Sequence, residues 1–176
     1  FSRWREVQPD RGGRDPLDTW SKAVIGAVAA AGSATAWFPS DPPWQPFQQW
    51  AMRAEGLKPS PLGILMPPQY GLWHAYRGAL LLDREPLLEP PREAIHICDA
   101  CTAKPCLKAC PVDAYSPAGF AHGACLSHVR GAAGGTCRTL GCLDRNACPH
   151  GAAYRYPAEV QAFHMASFAG LGQAGI

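Results

Sequence analysis

The chain has 176 residues and a formal net charge of +2, with charged side chains at 17% of the total, below the roughly 25% of an average soluble domain. No run of five basic residues supports a nucleic-acid surface, and the long uncharged stretch Ala23 to Ser40 is Ala/Gly/Ser/Thr-rich and too weakly apolar for membrane insertion. Gly and Pro number 18 each, all eight Cys fall between Cys98 and Cys148, and all six Trp precede Cys98, which predicts a turn-rich chain in two regions with different physical roles.

In chain order, Asp15-Pro16 reads as a helix start, and Trp20, Val24, Val28 and Ala31 repeat at helical spacing up to Gly32. The short apolar piece Thr35 to Phe38 leads to Asp41-Pro42-Pro43, a second helix start, with Phe47, Trp50, Ala51 and Ala54 on one face and Gly56 as the stop. Between Ser60 and Asp83, Ile64-Leu65-Met66 and Ala79 to Leu82 are either buried strands or short helical turns, since periodicity does not separate the two. Glu89-Pro90-Pro91 is a stiff connector and the expected boundary. Beyond the cysteines, Pro157 opens a helix with Val160, Phe163, His164 and Phe168 on one stripe, closed by Gly170 and expected to pack over the cysteine region. The expected organisation is an α-rich extension over 1–91, a cysteine module over 92–156 and a C-terminal helix over 157–176. The sequence starts at Phe1 and not Met, which points to a longer precursor. A cytoplasmic location is expected, with a removed targeting segment left open.

The cysteines form two similar runs, Cys98-x2-Cys101-x4-Cys106-x3-Cys110-Pro111 and Cys125-x11-Cys137-x4-Cys142-x5-Cys148-Pro149. Each ends in Cys-Pro and shares an x4 gap. The stretch Cys106 to Pro111 followed by Ala114-Tyr115 matches Cys142 to Pro149 followed by Ala153-Tyr154. Close spacing lets one loop wrap a metal centre, and proline after the last cysteine turns the chain away from it. Iron–sulfur clusters, zinc and disulfides all remain chemically open. Zinc gives no reason for paired Cys-Pro endings, and disulfides give none for the repeat.

The pattern resembles the two-cluster bacterial ferredoxins, whose Cys-x2-Cys-x2-Cys-x3-Cys-Pro run lends its fourth cysteine to the other cluster. The x4 gaps and the x11 loop depart from that pattern. The resemblance implies one 4Fe-4S cluster on Cys98, Cys101, Cys106 and Cys148 and another on Cys110, Cys125, Cys137 and Cys142. It also implies a loop-rich α+β fold: a ferredoxin-like dicluster module with a pseudo-twofold repeat, a mainly helical N-terminal extension and a C-terminal helix.

Around the cysteines, Gly131, Gly134 and Gly135 form a loop that either brings amides near a cluster or merely connects. His96, His122, His128 and His150 are expected on the surface or behind the ligands, and Tyr115 and Tyr154 are expected to shield clusters from water. Between Cys98 and His164 six basic residues face four acidic ones. Bacterial ferredoxins of the family resembled are usually acidic, so a neutral or acidic redox partner is expected here.

Ser60 to Gly71 with Leu80-Leu81-Leu82-Asp83, shortly before the cysteines, is also similar to the segment preceding the clusters in epoxyqueuosine reductase and, more distantly, reductive dehalogenases. That resemblance implies a core holding cobalamin beside two 4Fe-4S clusters. Trp73, His74, Tyr76 and Arg77 are the candidate cofactor- or substrate-binding residues, with packing as the plainer role. Trp37, Trp44, Phe47 and Trp50 are expected in a core; exposed, they would mark a partner interface. No phosphate loop, nucleophile elbow or dinucleotide fingerprint occurs. The expected function is single-electron transfer to or from a redox partner protein through two 4Fe-4S clusters, with no catalytic residue, nucleic acid or membrane insertion. The alternatives are a reductase, or its electron-input module, with cobalamin or substrate bound by the N-terminal region, and an inert metal-bound interaction module.

Overall fold

The computed structural model describes residues 1–87 and 95–171. The Glu89-Pro90-Pro91 connector, and with it the expected 91/92 boundary, lies outside the described residues. Short helices and two antiparallel two-stranded sheets make a mixed, turn-rich arrangement. The chain divides into two compact units that are discontinuous in sequence: Phe1–Gly56 with Ala75–Arg92, and Leu57–His74 with Glu93–Ile176. Among the described residues no helix is long and apolar enough to cross a membrane.

The first unit contains α1 (Ser2–Glu6), α2 (Pro16–Ala31), β1 (Thr35–Trp37), α3 (Phe47–Glu55) and β2 (Ala79–Leu81). Helix α2 starts at Pro16 behind Asp15 and stops at Gly32, where the sequence signals put it, but it buries a different face. Ser21 and Ala29 are buried, while Val24 and Val28 are 45% and 55% exposed. The reason is close approach: a Cβ on Gly78 would stand 2.8 Å from Ile25 Cδ1 and 3.1 Å from Trp37 O, so the row at four-residue pitch through Ser21, Ile25 and Ala29 faces inward. Strand β2 pairs with β1, Thr35 opposite Leu81. Helix α3 begins at Phe47, later than Asp41-Pro42-Pro43 suggests. Gln45 precedes Pro46 and is steered out of helical geometry, so a helix can start no earlier than that proline. It ends at Gly56, whose φ of 64° is the left-handed cap that glycine adopts freely.

The second unit contains the segment Leu57–His74, then α4 (Ile97–Ala100), a 3-10 turn at Pro105–Leu107, β3 (Tyr115–Ser116), β4 (Gly119–Phe120), α5 (His122–Arg130), α6 (Gly135–Leu140), α7 (Leu143–Ala147) and α8 (Ala158–Ala169). The sequence grouped 57–74 with the N-terminal extension; by contacts it belongs with the cysteines. Leu62, Met66 and Leu72 form one core with Cys106 and Cys148. The same segment meets the Cys148-Pro149 loop backbone to backbone, since a Cβ on Gly151 would lie 2.2 Å from Tyr70 O and one on Gly71 would lie 2.3 Å from His150 O. Helix α8 packs on α5 and α6, and Ala169, Met165 and Phe168 share a second core with Val129, Cys125 and Cys137. The two Cys-Pro endings lead to different elements: the β3–β4 hairpin follows the first, a 3-10 turn at Ala152–Tyr154 and α8 follow the second.

Candidate metal centres

Cys98 lies on α4 and Cys101 at its C-terminal end, Cys106 in the 3-10 turn, and Cys148 at the C-terminal end of α7. These thiols act on one another. Burial pushes Cys98 up, the Lys104 cation opposes this, and Cys148, Cys101 and Asp99 add to the rise. Cys106 is likewise raised by burial first, then by Cys148, Cys98 and Cys101. Lys104 holds a φ of 43° and donates from Nζ to the Cys98 carbonyl, which anchors the loop between Cys101 and Cys106. Cys106 and Cys148 are buried beneath Leu62, Met66 and Leu72.

Cys110, Cys125, Cys137 and Cys142 line one cavity of about 220 Å³, together with Tyr115, Phe120, His128, Asp144, Met165 and Phe168. Cys125 comes from α5, Cys137 from α6, and Cys142 caps the N-terminus of α7. Cys142 makes no side-chain capping hydrogen bond, but the nearby backbone amides of Arg145 and Asp144 oppose the rise that burial imposes on its thiol. The Ala114 N–H donates to Cys110 Sγ at 3.4 Å. Burial pushes Cys125 up to about 11, reinforced by Cys142, Cys110, Cys137 and Asp144. Cys137 and Cys142 are raised for the same leading reason. Tyr115 is pushed up to about 12 by burial, then by Cys142 and Cys125.

Several residues that brace this arrangement carry no signal in the cysteine spacing. Asp144 is 1% exposed; its Oδ1 accepts the Ala109 N–H at 2.9 Å. It thereby ties α7 to the loop that ends the first cysteine run. Burial raises its pKa, opposed by the nearby backbone amides of Ala109 and Cys110. Asn146 Nδ2 donates to Leu140 O at 2.9 Å, Cys142 O at 3.0 Å and Gln161 Oε1 at 2.8 Å, while Gln161 Nε2 donates to Tyr156 O at 2.9 Å. The turn carrying Cys142 is thus fixed to α8. The x5 gap before Cys148, longer than the x3 gap before Cys110, is the one sequence hint. Its two extra residues make room for α7.

The glycine loop is not slack. Gly134 is buried, and a Cβ there would meet His128 O at 2.2 Å, so it lets α5 and α6 close on each other. Tyr115 lines the cysteine cavity as expected; Tyr154 instead is exposed, with its ring 4.9 Å from Tyr70 and its hydroxyl accepting from Gln69 Nε2 at 3.1 Å. Of the four candidate histidines, His128 lines the cavity.

Trp73, His74, Tyr76 and Arg77 do not fall in one unit. Trp73, buried, and His74, half-buried, belong with the cysteines; the Trp73 ring lies 5.4 Å from that of Tyr156. Tyr76 and Arg77 belong to the first unit. There Tyr76 Oη donates to Glu55 Oε1 at 2.8 Å, while Arg77 Nε donates to Ser21 Oγ at 3.1 Å and its head pairs with Asp18. Burial and the Glu55 bond hold the Tyr76 hydroxyl well above its ordinary value. Of the N-terminal aromatics, Phe47 is buried, Trp37 and Trp50 are half-buried with ring centres 6.2 Å apart, and Trp44 is 77% exposed. The cavity beside Trp37, Phe38 and Asp41 has about 250 Å³, less than the roughly 300–1,000 Å³ of a usual organic-ligand site.

All eight cysteines are free thiols. Among the described residues no three His, Cys, Asp or Glu side chains converge closely enough to hold a metal ion. A tetrahedral zinc would need every sulfur within about 2.3 Å of one point. The second four thiols instead surround a space of about 220 Å³, where one water needs only about 15 Å³. Four thiols lining one such space are a donor set that a thiolate-held metal group would fit. Comparison with protein-family models, with curated proteins and with solved structures finds no match to the chain.

Proposed function

We propose that the chain is an electron-transfer protein holding two 4Fe-4S clusters, one on Cys98, Cys101, Cys106 and Cys148 and one on Cys110, Cys125, Cys137 and Cys142. The observation that carries this reading is the sorting of eight thiols into two mutually interacting sets. Each set draws one member from the opposite cysteine run, as in the ferredoxin pattern where the cysteine before proline serves the other cluster. The finer fold assignment, a ferredoxin-like dicluster module, rests on the same exchange.

A bound cluster would accept and return one electron. The protein's own groups would set how readily this happens. Leu62, Met66 and Leu72 exclude water on the first set, and Tyr115, Met165 and Phe168 do so on the second. The Ala114 amide at Cys110 supplies a donor that favours negative charge on sulfur. The redox partner is expected to be neutral or acidic where it meets the basic side chains near the cysteines, and the coupling to weaken with salt.

One observation favours the reductase alternative. Ser60 to Gly71, one of the two pieces on which the resemblance to epoxyqueuosine reductase rests, includes Leu62 and Met66, which pack on Cys106 and Cys148. Anaerobic reconstitution with iron and sulfide tests both readings. A carrier turns brown, bleaches on reduction and recovers on oxidation without retaining a corrinoid. Retained corrinoid favours the reductase, and a colourless zinc-loaded protein rules out both.

A further inference from the structure

Helix α7 joins the two thiol sets, with Cys142 at its N-terminal cap and Cys148 at its C-terminal cap. Six residues of helical rise separate those two positions by about 9 Å, and Arg145 stands three residues from each. Its guanidinium lies 4.4 Å from the Trp73 ring centre and 5.0 Å from that of Tyr156. Nε donates to Leu72 O at 3.0 Å, and Nη2 reaches the same carbonyl. Leu72 in turn packs on Cys106 and Cys148, while the Arg145 charge acts on Cys142. The side chain is therefore linked to both sets.

Among the described residues no carboxylate pairs with Arg145. The neighbouring Asp144 spends its Oδ1 on the Ala109 amide. A guanidinium keeps its proton in proteins, and a half-buried charge without a counter-charge is costly. Two aromatic faces reduce that cost but supply no net negative charge. Eight thiolates carrying two clusters do supply it.

We propose that Arg145 is the counter-charge shared by the two thiolate sets and raises the reduction potential of at least one cluster. The proposal rests on the dicluster reading. Adding one electron makes a cluster more negative by one unit, and a fixed cation in poorly screening surroundings stabilises the reduced form more than the oxidised one.

The test is an anaerobic redox titration, with dithionite as electron donor and EPR as readout, on reconstituted wild type, Arg145→Gln and Arg145→Lys. Gln keeps a donor for Leu72 O and loses the charge; Lys keeps the charge and loses the planar head. The expected result is a shift of at least one midpoint to more negative potential in Arg145→Gln, with Arg145→Lys close to wild type. Loss of iron from Arg145→Gln alone also supports the counter-charge role. Unmoved midpoints in Arg145→Gln, equal shifts in both variants, or iron lost from both would overturn it, the last two marking a packing role. Wild type that takes up no iron removes the dicluster reading itself, and the proposal with it. The iron content of wild type distinguishes that failure from the others.

Discussion

Asp144 shows how one buried side chain holds a cysteine loop in place. Its carboxylate accepts from the Ala109 amide, so Asp144→Ala leaves that half-buried donor unmet, at about 1–3 kcal/mol. Urea unfolding of the metal-free protein should show that loss, with a smaller one in Asp144→Asn, which retains an oxygen acceptor; equal midpoints in all three proteins would contradict the assignment. The thiols make a second prediction at this scale. Metal-free Cys125 holds its proton to about 11 against an ordinary value of 9.0, and Cys98, Cys106, Cys137 and Cys142 shift in the same direction. Between those values the folded state retains protons that the unfolded chain has released. The stabilisation is therefore full below about pH 9 and lost as pH rises through about 11. Melting of the metal-free protein should fall between about pH 8 and about pH 10.5, whereas metal-bound thiolates have no proton to lose and the loaded protein should fall less.

At the scale of elements, the segment Leu57–His74 supports the first thiol set. Met66 is 1% exposed and shares a core with Cys106 and Cys148. Met66→Ala should cost about 2–5 kcal/mol and speed chelator-driven bleaching of the cluster on the first set, leaving the other unaffected; equal bleaching of both would contradict the local role. Much at this scale was legible in the sequence. Asp15-Pro16 with Gly32, and Pro157 with Gly170, bracket α2 and α8 because proline and glycine act through backbone geometry that needs no tertiary context. The buried face of α2 was not legible, since it is chosen by a close neighbour at Gly78, far along the chain. The late start of α3 was legible in principle from Pro46, whose effect on Gln45 outweighs the earlier Asp41-Pro42-Pro43 signal.

At the scale of the molecule, the chain builds its cysteine-bearing unit from two separated stretches. A sequence read for linkers finds breaks in composition and not returns of the chain, which is why residues 57–74 looked like part of an extension. The two cysteine runs were legible as candidates because short loops keep residues that are close in sequence close in space. Asp144, Arg145, Asn146 and Gln161 were not, because nothing in their own neighbourhood distinguishes a bracing polar residue from a solvated one. The central claim, two four-thiolate clusters, is tested most directly by iron and sulfide analysis of anaerobically reconstituted protein with EPR of its reduced form. About eight irons and eight sulfides per chain, with interacting paramagnets, are expected. About four irons, or zinc without sulfide, would contradict it.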